Sequence, residues 1–190
     1  MHEIRIHGRG GQGAVMAGGI LAAALVLEGK FVVAVPSFGF ERRGAPVASF
    51  LRLDDREIRQ MTNIYNPDCI LCIDPTVGRA VDIFDGVREN AVLVQTTARP
   101  IEELRLSERV VTVGLCDAIS IALEIFRRPI TNTIMLGAFA RATGLVTLDS
   151  LRTAIAESEF RDAGLEQNLA ALERGYNSTK VHSIVQKAAA

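Results

Sequence analysis

The sequence predicts an α/β fold: a single Rossmann-like domain with a mostly parallel sheet and a helical C-terminal part. Three observations predict it. A glycine-rich stretch, Gly8-Arg9-Gly10-Gly11-Gln12-Gly13, joins a short alternating run to a long apolar one. Short β-type runs then recur with helix-type pieces between them as far as Val113. From Asp117 onward the strand signals stop and helical patterns replace them.

Residues 3–7 read as a strand because Ile4 and Ile6 alternate with Glu3, Arg5 and His7. An inner strand of a doubly wound sheet is apolar on both faces, so the face carrying Glu3, Arg5 and His7 is expected to meet water, a polar ligand or another chain. The glycines then occupy a strand-to-helix turn. There they permit positive φ, let another molecule approach the backbone, and leave the first helical amides facing whatever sits beside them, an anion cradle in outline. Residues 14–27 form a helix that is apolar all round and contains Gly18 and Gly19, so it is expected to be buried on most of its surface. A strand at 31–35 leads into residues 36–46, bracketed by Pro36 and Pro46 and holding Phe38, Phe40, Glu41, Arg42 and Arg43. The prolines and aromatics predict an ordered loop.

A strand at 47–53 follows. Asp54 and Glu57 have the spacing of a capping box, which predicts a short helix ending before Asn66-Pro67. Further strands are expected at 69–74, 91–96 and 109–113, with a helix at 77–84. Asp117 is placed to cap a helix at 118–126, and Asn132 one at 133–143 that Gly144 closes. Helices at 148–159 and 165–176 complete the order. The tail, 177–190, is polar and then alanine-rich, and is expected to reach for a partner or fray. No repeat or linker divides the chain, so residues 1–190 are expected to form one domain carrying that tail.

Composition removes several classes of function. A net charge of -1 and a pI near 6.3 give no footprint for nucleic acid. The apolar run 14–27 follows a polar strand, lacks a clear cleavage site and is too short to span a bilayer, so no membrane association and a cytoplasmic location are expected. Cys69, Cys72 and Cys116 are too few for a four-thiolate cluster. Cys69 and Cys72, three apart on a strand, point to opposite faces and read as small core residues. His2, His7 and His182 show no metal-ligand spacing, and there is no Gly-x-Ser-x-Gly elbow. No catalytic residue and no metal ligand is therefore assigned to this chain.

Gly8, Gly10 and Gly13 match the spacing of a dinucleotide fingerprint. The acid expected at the end of the second strand is missing, however, because the chain there reads Val33-Ala34-Val35-Pro36-Ser37. No Gly-Lys-Ser or Gly-Lys-Thr follows to make an ATPase phosphate loop. The turn is thus a structural element, an NAD site lacking its acid, or an amide cradle for another anion. Arg42 and Arg43 belong either to a solvated loop or to a fixed one, where two guanidiniums would hold phosphates or a partner's carboxylates.

Two segments together are more specific. Residues 4–13, Ile4-Arg5-Ile6-His7-Gly8-Arg9-Gly10-Gly11-Gln12-Gly13, and residues 36–47, from Pro36-Ser37-Phe38-Gly39-Phe40 through Glu41-Arg42-Arg43-Gly44-Ala45-Pro46-Val47, resemble the gamma subunit of 2-oxoacid:acceptor oxidoreductases, the pyruvate:ferredoxin oxidoreductase family. Asn132-Thr133-Ile134-Met135-Leu136-Gly137-Ala138 and Glu166-Gln167-Asn168 extend the resemblance over nearly the whole chain. It implies a subunit of an enzyme in which thiamine diphosphate, on alpha- and beta-type partners, drives decarboxylation of a 2-oxoacid. Electrons leave through iron-sulfur clusters in a ferredoxin-like delta-type partner, to ferredoxin or to another acceptor such as NAD, and coenzyme A takes the acyl group. This chain would bind no cofactor alone, would support assembly, and would shape access for coenzyme A. Gly8, Gly10, Gly11, Gln12 and Gly13, with Arg42 and Arg43, are the expected contacts to coenzyme A phosphates, and Phe38 and Phe40 the expected packing at a subunit boundary. Alternatives are a purely structural assembly subunit and an independent NAD-binding oxidoreductase.

Overall fold

In a computed structural model, which describes residues 1–36, 44–158 and 164–184, one seven-stranded sheet has the order β2-β3-β1-β4-β5-β6-β7. The central strands β1 (His2–Arg9), β4 (Cys69–Cys72), β5 (Ala91–Thr96) and β6 (Val110–Cys116) are parallel neighbours. Beside β1 lies an antiparallel hairpin of β2 (Phe31–Pro36) and β3 (Pro46–Asp54), with Ile4 opposite Leu51 and Gly8 opposite Val47. The α/β sheet is thus parallel at its centre, as expected, and antiparallel at both edges. The second edge corrects the reading of the tail. Its first part, β7 (Lys180–Ser183), pairs antiparallel with β6, His182 standing opposite Val113. An edge strand needs little beyond its backbone ladder, so this short polar segment announces itself weakly.

The helices α1 (Ala14–Leu27), α2 (Ala118–Phe126), α3 (Asn132–Thr143), α4 (Leu148–Ala156) and α5 (Leu165–Ser178) share one apolar cluster with Ile4, Ile6, Leu51, Leu53 and Leu71. The other sheet face, with Ile70, Cys72, Leu93 and Val113, has its own cluster and carries no α-helix among the described residues. It is covered by irregular chain and two 3-10 turns, Val77–Arg79 and Ile101–Glu103. Burial of α1 is one-sided: Ile20, Leu21 and Leu25 are buried, at about 1.5–3 kcal/mol each, whereas Val26 and Leu27 remain 58% and 51% exposed. The cysteines are buried and free; Cys69 joins the helical side and Cys72 the other, as their spacing predicts. Burial pushes the Cys72 thiol up to about 12, so it stays protonated as a core residue.

The irregular layer departs from two expected helices. Residues 55–65 form none: the buried Arg52 guanidinium donates to the carbonyls of Gln60 (3.4 Å), Thr62 (2.5 Å) and Asn63 (3.3 Å) and holds the segment in an irregular path. Asp54 accepts from the Arg56 amide at 3.3 Å rather than capping a helix. After the turn Val77–Arg79, Arg5 takes the carbonyls of Ile83 (3.0 Å) and Asp85 (2.7 Å), and Asp82 accepts the Phe84 amide at 2.9 Å. Nearby caps are closer to expectation. Asp117 accepts from the Ser120 amide at 3.2 Å, and Gly144 closes α3 with φ 63°. The N-cap of α3 is Thr131 rather than Asn132, with the Thr131 hydroxyl donating to the Ile73 carbonyl at 2.7 Å.

The same layer overturns the expectation that Glu3, Arg5 and His7 face water, a ligand or another chain. They are 5%, 7% and 6% exposed, covered by their own chain. Glu3 accepts from Arg52 Nε at 2.7 Å and from Arg88, while its amide donates to the Asp68 carboxylate at 3.1 Å. Arg5 Nε donates to His7 Nε2 at 3.0 Å, which requires the neutral imidazole. Burial first, and then the charge of Arg5, lower the His7 pKa to about 4. Its folded pKa lies below its unfolded value, so between about 6.5 and 4 the unfolded chain binds the extra proton. Stability from this residue is therefore complete above pH 6.5 and lost as pH falls through 4. Denaturant titrations are expected to show a loss of about 2 kcal/mol from pH 7 to pH 5, with His7→Gln flattening that slope; an unchanged slope would refute the assignment.

Candidate functional site

The connection after β1 leaves toward the helical face and that after β4 toward the irregular face. The carboxyl ends of these adjacent parallel strands are therefore a topological switch point, the usual ligand position in such sheets. The glycine turn lies at this point, but its glycines serve different ends. Gly8 is a packing residue: a Cβ there would stand 2.9 Å from Ile73 and 3.1 Å from Ala14. Gly11 and Gly13 adopt φ of 89° and 79°, the left-handed region that glycine tolerates at no steric cost. Gly13 also abuts the N-terminus of α3, where a Cβ would meet Asn132 Nδ2 at 2.6 Å.

Part of the supposed amide cradle is used internally. The Gly10 amide donates to the Ala45 carbonyl at 2.9 Å, and the Gly10 carbonyl accepts from the Gly44 amide at 3.1 Å. Gln12 donates its amide to the Arg9 carbonyl at 3.0 Å, accepts the Arg9 amide at 3.0 Å and donates Nε2 to Asp74. Among the described residues the amides of Gly11 and Gly13 have no such partner, and α1 has no side-chain cap. Arg42, Arg43, Phe38 and Phe40 lie outside the described residues. The chain flanking them, Gly44-Ala45, is bonded directly to Gly10, so the two segments that carry the family resemblance meet at this turn.

Residues that motif reading did not single out surround the turn. Arg9 donates Nε to Thr76 Oγ1 at 2.8 Å, Nη2 to the Thr76 carbonyl at 3.1 Å and Nη1 to the Gly44 carbonyl at 2.8 Å, with Asp74 Oδ1 3.5 Å from Nε. Asp74 also accepts from the Thr76 amide (2.7 Å) and hydroxyl (2.6 Å). Burial pushes its carboxyl up, but the bonds from Thr76 and Gln12 and the charge of Arg9 outweigh this and hold it below the usual carboxylate range. The available signal was Asp74-Pro75-Thr76 at a strand end, an Asx-turn sequence. Arg9 and Asp74 neutralise each other, which leaves the unspent amides as the anion-attracting part of the turn. The second strand offers no NAD-type acid for a topological reason as well: β2 is separated from β1 by β3.

Residues 3–178 match the model of the pyruvate ferredoxin/flavodoxin oxidoreductase family. The chain belongs to this family. Among its relatives is the gamma subunit of NADH-dependent phenylglyoxylate dehydrogenase from Aromatoleum evansii, 65% identical over 190 residues and covering 100% of both chains. The pyruvate/ketoisovalerate oxidoreductases common subunit gamma of Thermococcus kodakarensis is 48% identical over 97% of this chain and 100% of its own. The crystal structure of pyruvate oxidoreductase subunit PORC from Thermotoga maritima superposes with a TM-score of 0.81 at 37% identity, covering 95% of this chain and 97% of that one. The protein is thus a gamma-type subunit of a 2-oxoacid oxidoreductase, and its partners include the other subunits of that enzyme. No helix among its described residues is long and apolar enough to cross a membrane.

Proposed function

We propose that this oxidoreductase subunit serves a complex that oxidatively decarboxylates an aryl 2-oxoacid of the phenylglyoxylate class to acyl-CoA and CO2. The observation that carries the substrate class is the 65% identity with the phenylglyoxylate dehydrogenase subunit along both entire chains, against 48% for the pyruvate/ketoisovalerate relative. The same relative supports a nicotinamide acceptor in place of ferredoxin. Thiamine diphosphate and iron-sulfur clusters reside on partner chains in this reading. The residues here do not fit a cluster, since burial raises the thiol pKa of Cys69, Cys72 and Cys116 and places Cys69 and Cys72 on opposite sides of the sheet.

For coenzyme A the fit is narrower than the sequence suggested. Among the described residues the amides of Gly11 and Gly13 have no partner and are the ones to receive a phosphate, with Arg42 and Arg43 as the charged complement, while Gly10 and Gln12 shape the turn and Gly8 packs it. In the coexpressed complex, Arg42→Ala/Arg43→Ala is expected to raise KM for coenzyme A about tenfold with kcat retained, one charge-assisted contact being worth about 1.5–3 kcal/mol. An unchanged KM in an intact complex removes the phosphate role. A second reading, assembly alone, is favoured by the exposure of the apolar side chains Val15, Val26, Leu27 and Phe31 on α1 and the edge strand β2. It predicts that the same variant copurifies poorly and leaves coenzyme A kinetics unaltered. Turnover of phenylglyoxylate well above that of pyruvate tests the substrate class.

A further inference from the structure

Between the irregular layer and the carboxyl ends of β4, β5 and β6 lies a cleft of about 1040 Å³. None of the glycine-turn residues lines it; Thr76 alone belongs both to it and to the Arg9 network. The volume suits a small-molecule ligand, for which sites run to about 300–1,000 Å³. Its charges are unequally committed. Asp117 holds the Ser120 amide and hydroxyl at 3.2 and 2.7 Å, and Asp82 holds the Phe84 amide and lies in the field of Arg5. Arg99 is paired with Glu103 at 3.2 Å and Arg109 with Glu89 at 3.0 Å. The guanidiniums of Arg79 and Arg105, which also line the cleft, have neither an ion pair nor a hydrogen bond among the described residues.

Two unspent guanidinium forks therefore overlook a cleft whose wall includes Phe84, Leu104 and Leu106, and to which Gln95 and Thr97 add neutral polar groups from the end of β5. Guanidinium matches the planar, bidentate acceptor geometry of phosphate, and an apolar aromatic wall accepts a flat ring. We propose that this cleft binds a phosphorylated ligand of nucleotide size, with phosphate on Arg79 and Arg105 and the ring against Phe84. The inference is independent of what the glycine turn binds. A free nucleotide and the nucleotide end of a larger cofactor share this chemistry.

Calorimetric titration of the full chain with adenosine 3′,5′-bisphosphate, ADP and adenosine tests it. Both phosphorylated probes are expected to bind with one-to-one stoichiometry and adenosine at least tenfold more weakly. Preference for the 3′,5′-bisphosphate indicates the end of a 3′-phosphorylated cofactor, and preference for ADP a free nucleotide. Arg79→Ala/Arg105→Ala should weaken binding about a hundredfold, at roughly tenfold per charge-assisted contact, without changing the melting temperature, since both residues are exposed. Arg79→Lys/Arg105→Lys should recover only part of the affinity, because lysine keeps the charge but not the bidentate fork. Failure of the wild-type chain to bind either phosphorylated probe, equal binding of adenosine, or undiminished affinity in the alanine variant overturns the proposal. So does loss of binding in Arg42→Ala/Arg43→Ala with retention in Arg79→Ala/Arg105→Ala, which would place the ligand at the glycine turn.

Discussion

Gly175→Ala is expected to lower the melting temperature by about 6–12 °C, the shift that about 3 kcal/mol produces in a chain of this size. Helices α3 and α5 meet backbone to backbone. A Cβ on residue 175 would stand 1.9 Å from the Ile134 carbonyl oxygen, and one on residue 137 would stand 2.0 Å from that of Leu172. The clash is with main chain on both sides, so no rotamer change relieves it and the helices must part. Parting them loosens the packing of Leu136, Phe139 and Leu172, all buried in the helical core, and the stacking of Arg141 over the Tyr176 ring at 5.6 Å. Alanine gains up to about 1 kcal/mol of helix propensity over glycine, so the steric term decides the sign. Gly19→Ala supplies the control. A Cβ there meets nothing within 4 Å, and this variant should melt at the wild-type temperature or slightly above. A melting curve for Gly175→Ala that matches the control would refute the close helix contact.

Arg52→Ala should cost about 3–5 kcal/mol, the usual penalty for removing one partner of a buried ion pair. Arg52 is buried against Glu3 and also binds the carbonyls of Gln60, Thr62 and Asn63, so its loss leaves a buried carboxylate less neutralised and releases the segment that covers it. Arg88 still reaches Glu3, but its side chain is 45% exposed and its pairing is correspondingly screened. Hydrogen exchange should accelerate first in residues 55–65, because their anchors rather than a helical ladder hold them. The double variant Glu3→Leu/Arg52→Met should recover much of the loss, since no charge remains buried without its partner. If Arg52→Ala melted like wild type, the pair would contribute nothing to the fold.

Elements whose pattern is local were readable from the chain. The helix Ala14–Leu27 follows from an unbroken apolar run after a glycine turn, and the strand Ala91–Thr96 and the helix Ala118–Phe126 behind Asp117 follow from patterns a few residues long. The same holds for the burial of Cys69 and Cys72 on opposite faces, which strand geometry alone dictates. The failures share one cause. Asp54 and Glu57 carry a sound capping-box spacing, yet Arg52 pins that segment in an irregular path through the carbonyls of Gln60, Thr62 and Asn63. Residues 77–84 leave the helical path after one turn, anchored by Arg5 on the Ile83 and Asp85 carbonyls and by Asp82 on the Phe84 amide. A guanidinium on a neighbouring strand is invisible to any short window of sequence.

The glycine turn divides along the same line. Its position between strand and helix, its need for positive φ and its kinship with the loop ending at Gly44 are properties of residue order, because they depend on neighbours in the chain and on what glycine alone permits. Which amides remain unspent is a tertiary outcome. Ala45 claims the Gly10 amide only because β3 pairs with β1, and Asp74 fixes Gln12 only because β4 lies on the other side. Likewise, the alternation in β1 correctly separated two faces. That the polar face is internal was decided by a loop layer folding over it, which made Glu3, Arg5 and His7 partners of distant residues rather than of solvent.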